Sequence, residues 1–356
     1  MKKALFFSPY LDTFGGGERY FLQVVEFMVA KGFEVDIAWH DELIKEKSKQ
    51  RFGISLDKVK ISPEAYELFL NKNLLKKFLF TRGYDVVFFV SDGSIPLLFG
   101  KKNYLHFQVP FKSPPKKLFT KLKLQLITKV ICNSFFTKNI IDRGFKVNSL
   151  VLYPPLAEGF KTSIKKNIIL SVGRFDNLLH SKKQDVMISI FKKMIDEKKL
   201  KNWQLILAGS CLKGKEEFLK YIKQISIGYP IKIKDNIDFK TLIRLNGESK
   251  IYWHVTGFAE DLDKYPERAE HFGLSVVEAM SCAALAIVFS GGGLPEIVTS
   301  GKNGFLFKKL DQLENITLKY AKDEKERAKL AKNAQKKAKQ FKKTVFFKKL
   351  DEIIFS

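Results

Sequence analysis

Short apolar runs alternate along most of the chain with longer stretches whose apolar residues recur at helical spacing, and this alternation constrains the fold more than any other feature. In the first half the strand-like runs are Ala4–Phe7, Glu34–Trp39, Val59–Ile61, Asp85–Val90, Tyr104–Phe107, Val130–Cys132 and Leu150–Leu152. Helix-like stretches lie between them, near 18–30, 41–51, 64–81, 115–127 and 135–143. Strand–helix–strand repetition predicts βαβ units on a parallel sheet. The pattern lapses around 154–166 and then resumes with IILSVGRF, a helix over 184–196, WQLILAGS, a helix over 214–226, a strand near 231–234, IYWHVTGF, a helix over 270–283 and LAIVFS. Beyond Leu310 the chain reads as helical and Lys-rich. The expected fold class is α/β: two Rossmann-like domains facing a cleft, with C-terminal helices. The expected boundaries are 1–155, a linker at 156–166, a second domain at 167–340, and a last helix, 341–356, that packs back on the first domain.

The formal net charge of +25, from 63 Lys and Arg against 38 Asp and Glu, suits a surface that meets nucleic acid, anionic lipid or phosphorylated substrates. Nucleic acid is the weakest of the three, because the basic residues are spread over both halves and no exposed aromatic platform interleaves with them. Cys132, Cys211 and Cys282 lie far apart, which suggests neither a disulfide framework nor a zinc knuckle. They read as reduced thiols of a cytoplasmic protein. The apolar start, Ala4–Phe7, is too short for a signal peptide, and no charge-free run reaches bilayer length, so any membrane contact is peripheral. His40, His180, His254 and His271 show no ligand spacing, and no metal site is expected.

The richest stretch is EHFGLSVVEAMSCAALAIVFSGGGLPEIVT, residues 270–299. Glu270 precedes a Gly-containing turn, Phe272-Gly273-Leu274, and Glu278 follows on an apolar helical run. A carboxylate, free N–H groups at a helix start and a second carboxylate two turns on suit a polyhydroxylated, phosphorylated ligand. In FGGGER, after the first strand, Gly16 and Gly17 let backbone approach an anion at a helix N-terminus, although Tyr20 stands where a dinucleotide fingerprint needs a small residue. Arg174 ends a strand, and Lys182 and Lys183 stand just before the next helix, a combination suited to a diphosphate. His106 in HFQVP ends a strand of the first half. Asp261-Leu262-Asp263 matches the DxD pattern of some metal-dependent sugar transferases, but it lies in the charged loop EDLDKYPERAE and reads as solvated.

Taken together, FGGGER, HFQVP, CNSFFTKNI, YPP, VGRF with KKQD, EHFGLSVVEAM, GGLPEIV and GKNGFLF resemble a GT-B glycosyltransferase, similar to the retaining enzymes of glycosyltransferase family 4. The resemblance implies that Arg174 and Lys183, rather than Lys182, bind the donor diphosphate. It implies that Glu270 binds the transferred sugar, that the backbone of Phe272, Gly273 and Leu274 cradles sugar and phosphate, and that Glu278 accepts from the ribose. Gly16 and Gly17 would then line the cleft from the opposite domain, His106 would sit near the sugar, and the base pocket would lie near His254–Gly257. The implied activity is metal-independent hexosyl transfer, with retention, from a nucleotide-sugar to a glycan or lipid-linked acceptor in cell-surface polysaccharide or glycolipid synthesis, without a cofactor. Nucleotide-sugar hydrolysis or epimerisation on the same fold is the alternative.

Two basic segments remain. In 114–127, Leu118, Leu122 and Leu126 are spaced as on one helix face among Lys116, Lys117, Lys121 and Lys123, and 64–81 is similarly mixed. Such a pair either rests on an anionic membrane or packs its apolar stripe on the sheet with its lysines in water.

Overall fold

In a computed structural model, residues 1–356 are described except 13–14, 72, 114–116, 177–180, 212–213, 215 and 356. Phe14 of FGGGER, His180 and Lys116 fall outside the described residues, as do the side chains at 117 and 118. The chain divides into two units, residues 1–154 with 346–356, and residues 155–345.

The first unit runs β1 (Lys3–Phe7), α1 (Gly16–Ala30), β2 (Glu34–Ala38), α2 (Ile44–Phe52), β3 (Val59–Ile61), α3 (Pro63–Leu70), α4 (Leu74–Thr81), β4 (Val86–Ser91), β5 (Lys102–Phe107), α5 (Lys117–Leu124), β6 (Lys129–Cys132), α6 (Phe135–Phe145) and β7 (Leu150–Val151). Its strands form one parallel sheet in the order β3-β2-β1-β4-β5-β6-β7. Because helices cover both faces, β1 is apolar from Ala4 to Phe7: Ala4 and Phe6 enter one core cluster, Leu5 and Phe7 the other.

The second unit runs β8 (Lys166–Val172), α7 (Gln184–Asp196), β9 (Gln204–Gly209), α8 (Glu217–Ile225), β10 (Ile231–Asp235), α9 (Phe239–Glu248), β11 (Ser249–His254), α10 (Leu274–Ser281), β12 (Leu285–Phe289), α11 (Leu294–Ile297), β13 (Phe305–Phe307), α12 (Leu310–Lys322) and α13 (Glu324–Ala338). Its parallel sheet has the order β10-β9-β8-β11-β12-β13. The last helix, α14 (Lys343–Phe355), places Phe346, Leu350, Ile353 and Ile354 in the core of the first unit. Residues 155–165 carry an isolated bridge between Leu156 and Lys342.

Several elements differ from the sequence expectation, β13 and α11 among them, which it did not include. The helix expected over 64–81 is two helices, because Asn71 leaves α3 in an extended conformation and the Asn73 side chain caps α4 by accepting from the Lys76 N–H. The helix expected over 270–283 starts only at Leu274: Gly273 precedes it at φ 104°, so Glu270 lies in a loop and not on the element that bears Glu278. Helix α9, absent from the sequence reading, is capped by Asp238, which accepts from the Thr241 N–H at 2.6 Å.

Candidate active site

Strand order in each sheet reverses beside the first strand, and in an open α/β sheet ligands bind beyond the carboxyl ends of the strands at that reversal. In the second unit the reversal falls between β8 and β11. Arg174 follows β8 and His254 ends β11. Tyr252 ties the region together: its hydroxyl accepts from the Val172 N–H at 3.2 Å at the end of β8 and bonds Ser275 in the first turn of α10.

Onto this point converge three charged or polar side chains. Glu270 Oε2 accepts from Lys182 Nζ at 2.7 Å and from His254 Nε2 at 2.8 Å. Burial holds the His254 imidazole below its usual pKa more strongly than Glu270 raises it, and Lys182 lowers it further. The ring is therefore neutral, and because a carboxylate only accepts, Nε2 carries the hydrogen. The Lys182 stem lies across Gly173, where an added Cβ would come within 2.6 Å of Lys182 Cγ, so the stem is held against the backbone that leads into Arg174. Arg174 is partly exposed, its Nε 3.5 Å from an Asp176 carboxylate oxygen, while its carbonyl accepts from Gln184 Nε2 at 2.8 Å.

The loop bearing Glu270 is braced from below by Gly291–Gly293. The Glu270 carbonyl accepts from the Gly293 N–H at 2.7 Å, and at Gly292, with φ 63°, any Cβ would meet that carbonyl at 2.1 Å. This is why the GGLPEIV block accompanies the glutamates. Phe272 is buried with its ring edge-to-face on Phe341, so only its backbone borders the site, and Leu274 opens α10. Glu278 lies one helical face further along, 5% exposed, close enough to Tyr252 for its charge to raise the phenol pKa.

Several side chains lie elsewhere than expected. Lys183, expected beside Arg174, turns away: it caps α7 at φ 55° and its Nζ reaches Glu260 Oε1 at 2.5 Å. Glu260 also accepts from Arg268, and the two cations hold its carboxyl below the ordinary range. Lys182 is the lysine that meets Glu270. His254, assigned to a base pocket, instead touches Glu270. The sequence signal for it was its place at the carboxyl end of the strand beside the reversal. His106, expected to face a ligand, is sealed in the first unit, 0% exposed, stacked on Tyr20 at 4.3 Å with Nδ1 3.1 Å from the Ile131 carbonyl. Gly16 and Gly17 open α1, at its N-terminus, and Gly17 is pressed against Gln108, whose Nε2 donates to its carbonyl at 3.0 Å. Glu18 already accepts from the Gly15 N–H at that helix start. Asp261 folds back on its own loop, accepting from the Lys264 N–H. Among the described residues no group of His, Cys, Asp and Glu side chains is arranged to hold a metal ion.

Two parallel α/β sheets of this order define a class, the GT-B glycosyltransferase fold. The sequence profile described as Glycosyl transferases group 1 matches residues 157–337, just over half of the chain, and the chain belongs to that family. It is 28% identical over 223 residues to the uncharacterized glycosyltransferase MJ1178 of Methanocaldococcus jannaschii, covering 60% of this chain and 55% of that one. It is 30% identical over 135 residues to the GDP-Man:Man(3)GlcNAc(2)-PP-Dol alpha-1,2-mannosyltransferase of Xenopus tropicalis, covering 36% and 25% respectively. The chain thus spans about half the length of the first of these relatives and a quarter of the second. Among solved structures, Anabaena Alr3699/HepE in complex with UDP and glucose superposes with a TM-score of 0.74 over 100% of both chains at 20% identity, a likeness of fold.

Proposed function

We propose that this glycosyltransferase is a retaining hexosyltransferase, of the family 4 kind, that moves a sugar from a nucleotide-sugar to a glycan or lipid-linked acceptor hydroxyl in cell-surface polysaccharide or glycolipid synthesis, on the cytoplasmic side of a membrane. The observation that carries this reading is the meeting of Lys182, Glu270 and His254 beside Arg174 at the strand-order reversal. The UDP and glucose held by the Anabaena relative's structure support a ligand of that chemistry.

In this reading Glu270 accepts from hydroxyls of the transferred sugar, and His254 holds it in place. Phe272, Gly273 and Leu274 offer backbone N–H groups at the start of α10, and Glu278 accepts from the ribose. Transfer breaks the bond between the anomeric carbon and the diphosphate oxygen and forms one to the acceptor oxygen, whose proton passes to the departing phosphate. Negative charge grows on that phosphate as the anomeric centre becomes oxocarbenium-like. Fixed positive groups there give the largest help, and Arg174 with Lys182 supply them without calling on a metal ion. Lys183 supports the site through Glu260.

A thermal-shift screen of UDP-, GDP- and ADP-sugars tests the reading. The right donor, at about 100 times its dissociation constant, adds about 2.7 kcal/mol to stability. Lys182→Ala removes a charge-assisted bond and weakens donor binding about 10- to 100-fold, whereas Lys183→Ala leaves it within a few-fold. Product analysis with and without acceptor separates transfer from hydrolysis and epimerisation. Silence toward every donor would sink the reading, and a larger loss from Lys183→Ala would reverse the lysine assignment.

A further inference from the structure

Helices α4 and α5 depart from the rule by which the first unit buries its apolar side chains. They read LLKKFLFT and KLFTKLKL, with five lysines and no acidic residue. On α4, Leu74, Leu75 and Leu79 face water, Leu75 at 67% exposure, while Phe80 packs against the core. On α5 and the turns that continue it, Phe119, Leu122 and Leu126, at i, i+3 and i+7, are exposed, Phe119 at 63%, while Leu124 and Ile127 pack inward. A helix that only covers a sheet shows the opposite arrangement.

The two helices pack on the same core cluster, α4 through Phe80 and α5 through Leu124. Burial, and then the charge of Lys123, lower the pKa of Lys77, so these ammonium groups sense each other. Backbone carbonyls hold both at the base of the patch, Lys77 donating to Phe69 and Lys123 to Ile95. Lys76 and Lys121 stand exposed beside the leucines.

Charge decides what covers such a face. A second copy of the same patch would set lysine against lysine. Apart from Phe119 and Phe78 the exposed apolar side chains are leucines, which give nucleic-acid bases little to stack on. Aliphatic side chains that enter acyl chains, rimmed by lysines that reach phosphates, match an anionic bilayer. We propose that the outer face of α4 and α5 docks on an anionic lipid membrane, with Leu75, Leu79, Phe119 and Leu122 at the headgroup–acyl boundary and Lys76 and Lys121 among the lipid phosphates. This goes beyond the donor-site reading and stands on different residues.

Co-sedimentation of the full chain with vesicles tests it. The protein binds vesicles of phosphatidylcholine mixed with phosphatidylglycerol, not phosphatidylcholine alone, and binding falls as salt rises. Lys76→Gln and Lys121→Gln each weaken partitioning about fivefold. The triple variant Leu75→Ser, Phe119→Ser, Leu122→Ser loses binding with an unchanged Tm, since these side chains already meet water in the folded chain. Its donor-induced shift in Tm is retained, so failure here and failure of the donor reading are told apart. Binding indifferent to lipid charge, or a serine variant that sediments like the parent, overturns the proposal. So does a dimer on size exclusion that the serine variant abolishes without any vesicle binding, which would assign the face to a second copy.

Discussion

At the scale of single residues, two buried imidazoles, His254 and His106, do different work from the same electrostatics. Both are held neutral by burial, His254 to donate to Glu270 and His106 to fill the core against Tyr20. His106 is pushed down to about 3 from an ordinary value near 6.5. Its pKa is depressed in the folded chain, so its contribution is complete above the unfolded value. It is lost as pH falls from about 6.5 toward 3, where the unfolded chain takes up a proton that the native ring refuses. His106→Asn keeps a donor for the Ile131 carbonyl but does not titrate. Urea unfolding at pH 7 and pH 5 therefore shows the parent losing about 2 kcal/mol more than the variant. Equal losses would place the acid sensitivity in other groups.

At the scale of elements, α14 shows how a helix distant in sequence completes a core. Phe346, Leu350 and Ile353 recur at i, i+4 and i+7, and with Ile354 they join β1, β4 and α1 in one cluster. Leu350 is 0% exposed, so Leu350→Ala leaves a cavity and costs about 2–5 kcal/mol in urea denaturation. Lys348→Ala on the exposed side stays within about 0.5 kcal/mol. Similar losses from both would mean that the helix is held by its propensity and not by packing. Helix α10 makes a complementary point: Gly273 alone separates it from the loop that aims Glu270, so the two glutamates approach the site from different backbone directions.

At the scale of the whole molecule, the second unit is one continuous segment, 155–345, with its own sheet, a core around Trp253, Phe191 and Phe307, and the complete Lys182–Glu270–His254 cluster. Expressed alone, residues 155–345 should melt cooperatively and be stabilised by the nucleotide of the active donor. Residues 1–154 without 346–356 lack Phe346, Leu350, Ile353 and Ile354 and should not melt cooperatively until that segment is joined back. Circular dichroism melts of the fragments check both statements. A 155–345 fragment with no cooperative transition would refute the first.

The alternation of apolar runs determined, without any structure, that the chain folds into two α/β units, each on a parallel sheet, because a strand buried on both faces and a helix buried on one leave different periods in the sequence. The spacing of Glu270, Gly273 and Glu278, with the glycines at 291–293, likewise marked the loop and helix of the site. Tertiary structure alone decided which of two adjacent lysines meets Glu270, since the backbone at Lys183 turns through a left-handed conformation and sends the neighbours apart. It also decided that His254, sixteen residues before Glu270, closes on it, that His106 is buried against Tyr20, and that Phe119, Leu122 and Leu126 face outward. Local patterns report which elements form. The direction of one side chain at the end of an element is set by contacts from distant parts of the chain, which leave no period to read.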